Sequence, residues 1–345
     1  MIAIFSDLHL GIKGDNQHWH SVAVEFIQDM VKTLKKKNIK DVFFLGDWFH
    51  NRNSVDVYTL NSTAKILRLL EDFSIHIFPG NHDLYFSGST EVSSTSIFQG
   101  YNNIKYYDKP ARLNIGDKSI TLCPWGFNPL NPEIESSDYL FGHFEINTFQ
   151  MNSSEHLCEE GFKLSDLLKK FNSIFSGHFH KAQFRKYSSG SIVYVGNPFQ
   201  MNYGEAGDKK GFIILDVDTG KYSYHYNEIS PKFIKMTLSS LIRKEPSAIS
   251  KEIANNYLRL AIDKNITVDD MDELIKLLSS CQPLECDIDW DNKGFSSAID
   301  TKTDFVALEL MEAIKEYIGL LDVPNPKEVL QYLQKKYREI SNVPG

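Results

Sequence analysis

The chain has 345 residues, 42% hydrophobic and 24% charged, a composition typical of a folded globular protein and a length beyond one hydrophobic core. With 37 basic and 45 acidic residues, the formal net charge is -8, which argues against a surface that binds nucleic acid by bulk positive charge. The four cysteines form no Cys-x-x-Cys pair, and the N-terminal apolar run ends by Phe5. We therefore expect free thiols, no signal peptide or membrane span, and a cytoplasmic protein.

Residues 1–228 are predicted to form the first domain. Apolar residues at three- and four-residue spacing predict an amphipathic helix over residues 19–34, and a second helix is predicted over residues 57–71. Short apolar runs flank these helices and give a β-α-β-α-β pattern, which predicts parallel strands. After about Ile104, short strands with hairpin-like turns follow, so the expected fold class is α/β (α+β).

Two further segments are predicted. Residues 229–293 show their own β-α-β pattern, with alternating strands near 258–262 and 284–290 around a helix, and they contain no cluster of ligand side chains. Residues 294–345 begin as a polar linker and end in two amphipathic helical patterns. Such a helical pair must bury its apolar stripes either on its own first domain or on a partner.

Five apolar runs of the first domain end in the same way, with one or two small or turn-forming residues and then a ligand-type side chain. These side chains are Asp7 with His9, Asp47, Asn81, His143, and His178 with His180. Runs this short predict buried strands, and side chains at the carboxyl ends of strands in an α/β sheet converge on one crevice. The glycine before several of them suits a sharp turn beside a bound ion.

Asp47 is the expected common ligand of two metal ions, because a carboxylate can serve two cations while an imidazole nitrogen has a single lone pair. Oxygen and imidazole ligands without thiolate favour Mn, Fe or Zn over an all-oxygen Mg or Ca site.

The motifs also carry a family resemblance. Asp7-Leu8-His9, Gly46-Asp47, Gly80-Asn81-His82-Asp83, Gly142-His143 and Gly177-His178-Phe179-His180, in this order, resemble the five motifs of calcineurin-like metallophosphoesterases. Within that superfamily the chain is most similar to SbcD-type nuclease subunits and their counterparts in T-even-like phages. The resemblance implies a layered β-sandwich flanked by helices, with residues 229–293 as a small α/β cap domain followed by C-terminal helices. A phage-encoded protein would act in the host cytoplasm.

The resemblance also implies roles for single residues. It assigns one metal ion to Asp7, His9, Asp47 and His180 and the other to Asp47, Asn81, His143 and His178, with Mn²⁺ as the expected ion. It makes His82 a general acid or phosphate-charge stabiliser, Asp83 the residue that orients the His82 ring, and His50 a contact to the substrate phosphodiester. The alternatives are a structural Asp–His pair for the first two residues and a solvent-facing helix-start histidine for His50.

The expected function is a Mn-dependent DNA exonuclease or endonuclease. As implied by the resemblance, it would be a homodimeric subunit that binds the coiled coil of an SbcC-type ATPase through its C-terminal helices and acts in recombination and repair. Lys181, Arg185 and Lys186 are the preferred phosphate contacts, since they follow His180 directly. Further candidates are Lys105, Lys109, Arg112, Lys209 and Lys210, although each residue of both sets is more often an ordinary solvated charge.

Two alternatives remain. A phosphoprotein phosphatase or cyclic-nucleotide phosphodiesterase could use the same fold, but the residues after Gly46-Asp47 depart from the Asp-Arg-Gly of the phosphatases. A non-catalytic docking adaptor is the other, and the complete set of ligands argues against it.

Overall fold

The computed structural model describes residues 1–150, 157–264 and 266–290. The predicted C-terminal helical pair within residues 294–345 lies outside the described residues. Within the described ranges the strands form three sheets, and no helix there is long and apolar enough to cross a membrane. The division into domains at residues 228 and 293 stays a prediction.

The first sheet has, in the described part of the chain, the strand order β12-β11-β1-β2-β3-β4. Strands β1 to β4 are mutually parallel, whereas β11 pairs antiparallel with β1 and β12 pairs antiparallel with β11. Their bounds are β1 (Ile2–Phe5), β2 (Asp41–Phe44), β3 (Ser74–Ile77), β4 (Ile104–Tyr106), β11 (Gly211–Leu215) and β12 (Tyr222–Tyr226).

The second sheet, within the same described ranges, has the order β5-β6-β7-β8-β10-β9. Its strands are β5 (Ala111–Ile115), β6 (Lys118–Cys123), β7 (Ser137–His143), β8 (Phe171–Gly177), β9 (Gln183–Tyr187) and β10 (Gly190–Tyr194). The expected hairpins occur at its edges, where β5 pairs with β6 and β9 with β10, whereas β6, β7, β8 and β10 are parallel. The third expected hairpin is β11 with β12 in the first sheet, while the interior strands are parallel because the connections after β6 and β7 are long crossovers.

Helices cover one face of the first sheet. They are α1 (Ile12–Asp15), a single turn with left-handed residues inside it, α2 (Gln17–Lys36) and α3 (Val57–Leu69). Short elements between later strands are α4 (Leu164–Leu167) and the 3-10 turns Asn81–Asp83, Ser94–Gly100 and Tyr203–Glu205.

Strand alternation divides the buried side chains between two layers. On β1, Ala3 and Phe5 pack toward the helices, while Ile2 and Ile4 pack between the two sheets. Because both faces of β1 are covered, the strand is apolar at every position, as is typical of a buried parallel strand. This two-sheet sandwich flanked by helices agrees with the fold class expected from the sequence.

The third sheet, in residues 233–290, is parallel with the order β13-β14-β15. Its elements are β13 (Phe233–Thr237), α5 (Leu238–Leu241), α6 (Pro246–Ile253), β14 (Tyr257–Ile262), α7 (Val268–Ser280) and β15 (Glu285–Trp290). The sequence predicted β14, α7 and β15 but missed β13 and α6. The short polar helix α6 has few apolar residues, and in β13 Lys235 interrupts the apolar positions.

One histidine of the inter-sheet layer is buried without belonging to a motif. His76 on β3 is 4% exposed, and its ring stacks on Phe43 with centroids 4.4 Å apart. Its Nδ1 lies 2.9 Å from the hydroxyl of Tyr107. Burial, with a smaller contribution from Lys105, lowers the pKa of His76 to about 4. The Asp41 carboxylate lies 3.9 Å from Nε2, at the outer limit of an ion pair, and does not offset the burial.

We expect His76 to make part of the folding free energy depend on pH. Since its folded pKa lies below its ordinary value of 6.5, the unfolded chain takes up a proton that the folded chain does not, and stability is lost as pH falls from about 6.5 to about 4. His76→Phe keeps an aromatic ring and should remove about 2 kcal/mol of the loss between about pH 7 and about pH 5. Urea unfolding at both pH values measures this, and parallel losses in the two proteins would contradict it.

Candidate functional site

The side chains predicted as metal ligands lie together at the carboxyl ends of strands from both large sheets. The first sheet contributes Asp7 and His9 after β1, Asp47 after β2 and Asn81 after β3; the second contributes His143 at the end of β7 and His178 and His180 after β8. His178 and His180 are half-buried and the others are buried. The convergence expected from the sequence is therefore present, with the crevice formed between two sheets.

One group of ligand atoms comprises Asp7, His9 and His180. The Nε2 atoms of His9 and His180 face each other at 3.0 Å, and an Asp7 carboxylate oxygen lies within 4.8 Å of both rings. Ligands with metal bonds of about 2.0–2.2 Å meet at such separations around one ion.

The other group comprises Asn81, His143 and His178. The Oδ1 atom of Asn81 lies 3.0 Å from His143 Nε2 and 2.9 Å from His178 Nδ1. An Asp47 carboxylate oxygen lies within 4.8 Å of both of these histidines.

Asp47 lies between the two groups. Its Oδ2 is 3.7 Å from His9 Nε2 and 3.4 Å from His143 Nε2, while its Oδ1 accepts a hydrogen bond from the backbone N–H of His82 at 2.8 Å. Burial opposes ionisation, but His143 and His9 outweigh it and hold the pKa of Asp47 well below its usual range. Burial likewise opposes protonation of His143, but Asp47 and Asp7 raise its pKa. This carboxylate stays ionised in the protein interior.

Several ligand residues have strained backbones. Asp7, His9, Asp47 and His178 have φ angles of 55°, 47°, 61° and 89°, in the left-handed region that non-glycine residues avoid. Each such residue costs on the order of 1–3 kcal/mol, which the surrounding packing must offset. Strain concentrated at these positions indicates a functional constraint on where the side chains lie.

The glycines of the motifs allow the motif loops to approach one another. A Cβ on Gly80 would lie 2.2 Å from Asp47 Oδ1 and 2.5 Å from its backbone nitrogen, and one on Gly177 would lie 2.1 Å from Ser6 Oγ. These glycines therefore make room for the neighbouring loop, and their proximity to a bound ion stays a prediction.

In three of the ligand histidines, the ring nitrogen that points away from the other ligands is hydrogen-bonded. The acceptors are Leu45 O for His143 Nδ1 (2.7 Å), Glu145 Oε1 for His178 Nε2 (3.2 Å) and Glu205 Oε1 for His180 Nδ1 (2.9 Å). Each acceptor requires a proton on the nitrogen it faces, so the other nitrogen carries a lone pair whenever the ring is neutral. Neither glutamate was predicted from the sequence, because Glu145 lies two residues after a motif and Glu205 has no motif signal.

Asp83 does not orient the His82 ring, so that expectation was wrong. Its fully buried carboxylate accepts hydrogen bonds from backbone N–H groups of two loops, those of Asp47 (2.8 Å), Trp48 (3.2 Å), Phe49 (3.0 Å) and Gly80 (3.0 Å). The His82 ring instead donates from Nδ1 to the carbonyl of His50 at 2.7 Å. Burial, together with the charge of Asp47, raises the pKa of Asp83 to about 7. Asp83 thus holds the loop that carries Asp47.

His50 lies beside His82. The two rings stack with centroids 5.5 Å apart, and the His50 ring meets the edge of the His9 ring at 5.4 Å. Ring nitrogens of all three histidines lie within 4.8 Å of one another. Burial, followed by the charge of His82, lowers the pKa of His50. The residue is therefore part of the site, and the solvent-facing alternative was wrong.

The basic residues after His180 differ in their surroundings. Lys186 is exposed and Lys181 is half-buried, whereas the Arg185 guanidinium donates to the carbonyl of Thr148 at 2.8 Å and lies 3.8 Å from the ring centroid of Phe149. Their contact with phosphate stays a prediction.

Lys210 is buried, and its Nζ donates to the carbonyl of His180 at 2.8 Å. As a phosphate contact this candidate was wrong, since its charge is used inside the protein.

Comparisons with known proteins identify the family of this chain. The family model for calcineurin-like phosphoesterases matches residues 1–182. Exonuclease subunit 1 of Enterobacteria phage T4 is 25% identical over 299 residues, covering 78% of this chain and 86% of that protein.

Similar solved structures include a dimetal phosphatase from Danio rerio, with 14% identity, a TM-score of 0.42, and coverage of 66% of this chain and 92% of that one. An archaeal phosphodiesterase has 14% identity, a TM-score of 0.37, and coverage of 66% and 99%. Because the family model matches more than half of its residues, this chain belongs to the calcineurin-like phosphoesterase family and is a metal-dependent phosphodiesterase.

Proposed function

We propose that this protein is a Mn-dependent DNA nuclease, an exonuclease or endonuclease subunit of an SbcC/SbcD-type recombination and repair complex. The observation that carries the proposal is Asp47 Oδ2, which lies 3.7 Å from a histidine of one ligand group and 3.4 Å from a histidine of the other. The similarity to a phage exonuclease subunit supports the choice of DNA over other phosphodiesters.

The donor atoms of the site fit a pair of divalent ions. His9 Nε2 faces His180 Nε2 at 3.0 Å, and Asn81 Oδ1 faces ring nitrogens of His143 and His178. With each imidazole neutral, as a metal ligand must be, the proton of His143, His178 and His180 lies on the opposite ring nitrogen and the facing nitrogen carries a lone pair. A cation would lie among these lone pairs, and buried oxygen and imidazole ligands without thiolate suit Mn²⁺.

One ion would be held by Asp7, His9, Asp47 and His180, and the other by Asp47, Asn81, His143 and His178. When bound, such a pair supplies Lewis-acid stabilisation of the phosphodiester and makes water a stronger nucleophile at neutral pH. The two carboxylates of the site carry less negative charge than two divalent ions carry positive charge. The occupied site would therefore have a net positive charge. A chain with a net charge of -8 can therefore attract a polyanion at this site.

His82 acts on the leaving group. Its Nδ1 donates to the carbonyl of His50, which fixes the ring and leaves Nε2 facing the site. From there Nε2 donates a proton to the departing sugar oxygen or stabilises charge on the phosphate. The stacked His50 ring contacts the same phosphodiester.

DNA and protein partners follow from the same proposal. Lys181, Arg185 and Lys186 contact backbone phosphates, so binding weakens steeply with salt. Residues 229–293 act as a cap that positions DNA, and residues 294–345 bind the coiled coil of the ATPase. The nuclease subunit acts as a homodimer in the cytoplasm.

The first prediction concerns metal and substrate. Protein stripped of metal and resupplied with Mn²⁺ should cleave linear DNA and a phosphodiester analogue, and Asp47→Asn should abolish both activities. Loss of a ligand should weaken Mn²⁺ binding by more than about 100-fold, since loss of a ligand's hydrogen-bond partner costs about 10- to 100-fold.

Asp117→Asn is the matched control, because Asp117 is exposed in the turn between β5 and β6. Calorimetric Mn²⁺ titration and a DNA cleavage assay provide the measurements. Hydrolysis of phosphomonoesters without cleavage of DNA would sink the nuclease proposal and favour a phosphatase.

The second prediction separates catalysis by His82 from metal binding. His82→Gln should keep both metal affinities and lower kcat by about 10²- to 10⁴-fold, because a positioned proton donor contributes about that much. His225→Gln, on β12 outside the site, should retain wild-type kcat. Undiminished turnover of His82→Gln would remove His82 from this role.

The third prediction concerns Asp83, which we propose acts through the backbone rather than on substrate. Asp83→Asn places amide donors against the N–H groups that the carboxylate accepts and should destabilise the fold by about 1–3 kcal/mol. Urea unfolding measures this against Asp138→Asn, whose carboxylate also accepts a backbone N–H but is half-exposed and should cost less. Unchanged stability with lost kcat would instead indicate direct catalysis by Asp83.

A further inference from the structure

The two histidines of the Gly177-His178-Phe179-His180 motif are held by carboxylates of very different exposure. Glu205, which accepts from His180, has a side chain that is 3% exposed, while Glu145, which accepts from His178, is 37% exposed. A hydrogen bond to a carboxylate is stronger when water cannot compete for it. The two ligand groups are therefore supported unequally.

Glu205 is held on all sides by polar groups. Its Oε1 faces His180 Nδ1 at 2.9 Å, and its Oε2 accepts from Asn197 Nδ2 (2.9 Å), Met201 N (3.1 Å) and Lys210 Nζ (3.1 Å). Three donors on one oxygen and the His180 ring on the other fix the orientation of this side chain as an acceptor.

Lys210 connects this carboxylate to the backbone of the same ligand. Its Nζ donates to the carbonyl of His180 at 2.8 Å and also pairs with Asp208 at 3.4 Å. The ring and the main chain of His180 are thus both attached to one buried cluster. Rotation of the imidazole would break its hydrogen bond to Glu205 and leave that buried carboxylate without one of its donors.

We propose that Glu205 is the positioning residue of His180 and that its burial makes the two metal ions bind with unequal affinity. This rests on the two-metal function proposed above. The ion at Asp7, His9 and His180 binds more tightly, because its group contains its own carboxylate in Asp7 and a ring held in the metal-binding tautomer. The ion at Asn81, His143 and His178 binds more weakly. Asn81 is neutral, and water competes with His178 for the exposed carboxylate of Glu145.

The experiment is calorimetric Mn²⁺ titration of metal-free protein. Wild type should show two binding events of different affinity, and His178→Ala should lose the weaker event and keep the tighter one. Glu205→Gln should weaken the tighter event by about 10- to 100-fold and spare the weaker one. Glu145→Gln should weaken the weaker event by less than about 10-fold.

Asp117→Asn is the control, because Asp117 is exposed in the turn between β5 and β6, and both affinities should stay at wild-type values. Far-ultraviolet circular dichroism checks the fold of each variant. Should Glu205→Gln misfold because Lys210 loses its partner, Glu205→Gln/Lys210→Met removes both charges and must show the same weakening.

Two results would count against the inference in different ways. Wild-type affinity at the tighter event in Glu205→Gln would overturn the role of Glu205 and leave the two-metal function standing. Failure of wild-type protein to bind Mn²⁺ would overturn the two-metal function itself.

Discussion

The carboxylate of Asp47 is shared by two groups of side chains, each of which contains residues from both large sheets. The organisation of the site depends on keeping this carboxylate there, ionised and buried. Its Oδ2 faces His9 on one side and His143 on the other. An unpaired carboxylate in this layer would cost several kcal/mol, so the charge is tolerable because imidazoles, backbone N–H groups and, as we propose, cations surround it. The close fit of the two sheets around Asp47 follows from this requirement.

Holding Asp47 in place strains the backbone of the ligand residues and requires glycine in a neighbouring loop. Asp47 and neighbouring ligands adopt left-handed φ angles, and Gly80 passes so close to Asp47 that a methyl group would overlap its carboxylate. Asp83 offsets part of this strain energy, because its carboxylate accepts hydrogen bonds from backbone N–H groups of the loops on both sides. A site that must present charges to a substrate is therefore stabilised by an acid that the substrate need not touch.

The sequence predicted what is encoded locally. Apolar runs followed by Asp7, Asp47 or His178 identify strand ends, since a buried strand must be apolar and its end must turn. Contacts between distant segments were not predictable in the same way: Glu205 meets His180 across 25 residues, and Asp83 turns away from the adjacent His82 ring. Lys210 resembles a surface lysine in sequence, and its burial depends on a carboxylate that has no motif of its own.

The buried cluster around Glu205 also bears on how the third sheet is attached. Gln200, in the loop that carries Glu205, donates to the carbonyl of Asp208 and accepts from the backbone N–H of Phe233, the first residue of β13. A displacement of β13 would therefore act on the loop that orients His180 through side chains that are already hydrogen-bonded. Because Gln200 and the backbone N–H of Phe233 are buried, water cannot replace a hydrogen bond that the displacement breaks. The displacement must therefore either break hydrogen bonds at a cost in free energy or move the loop with it.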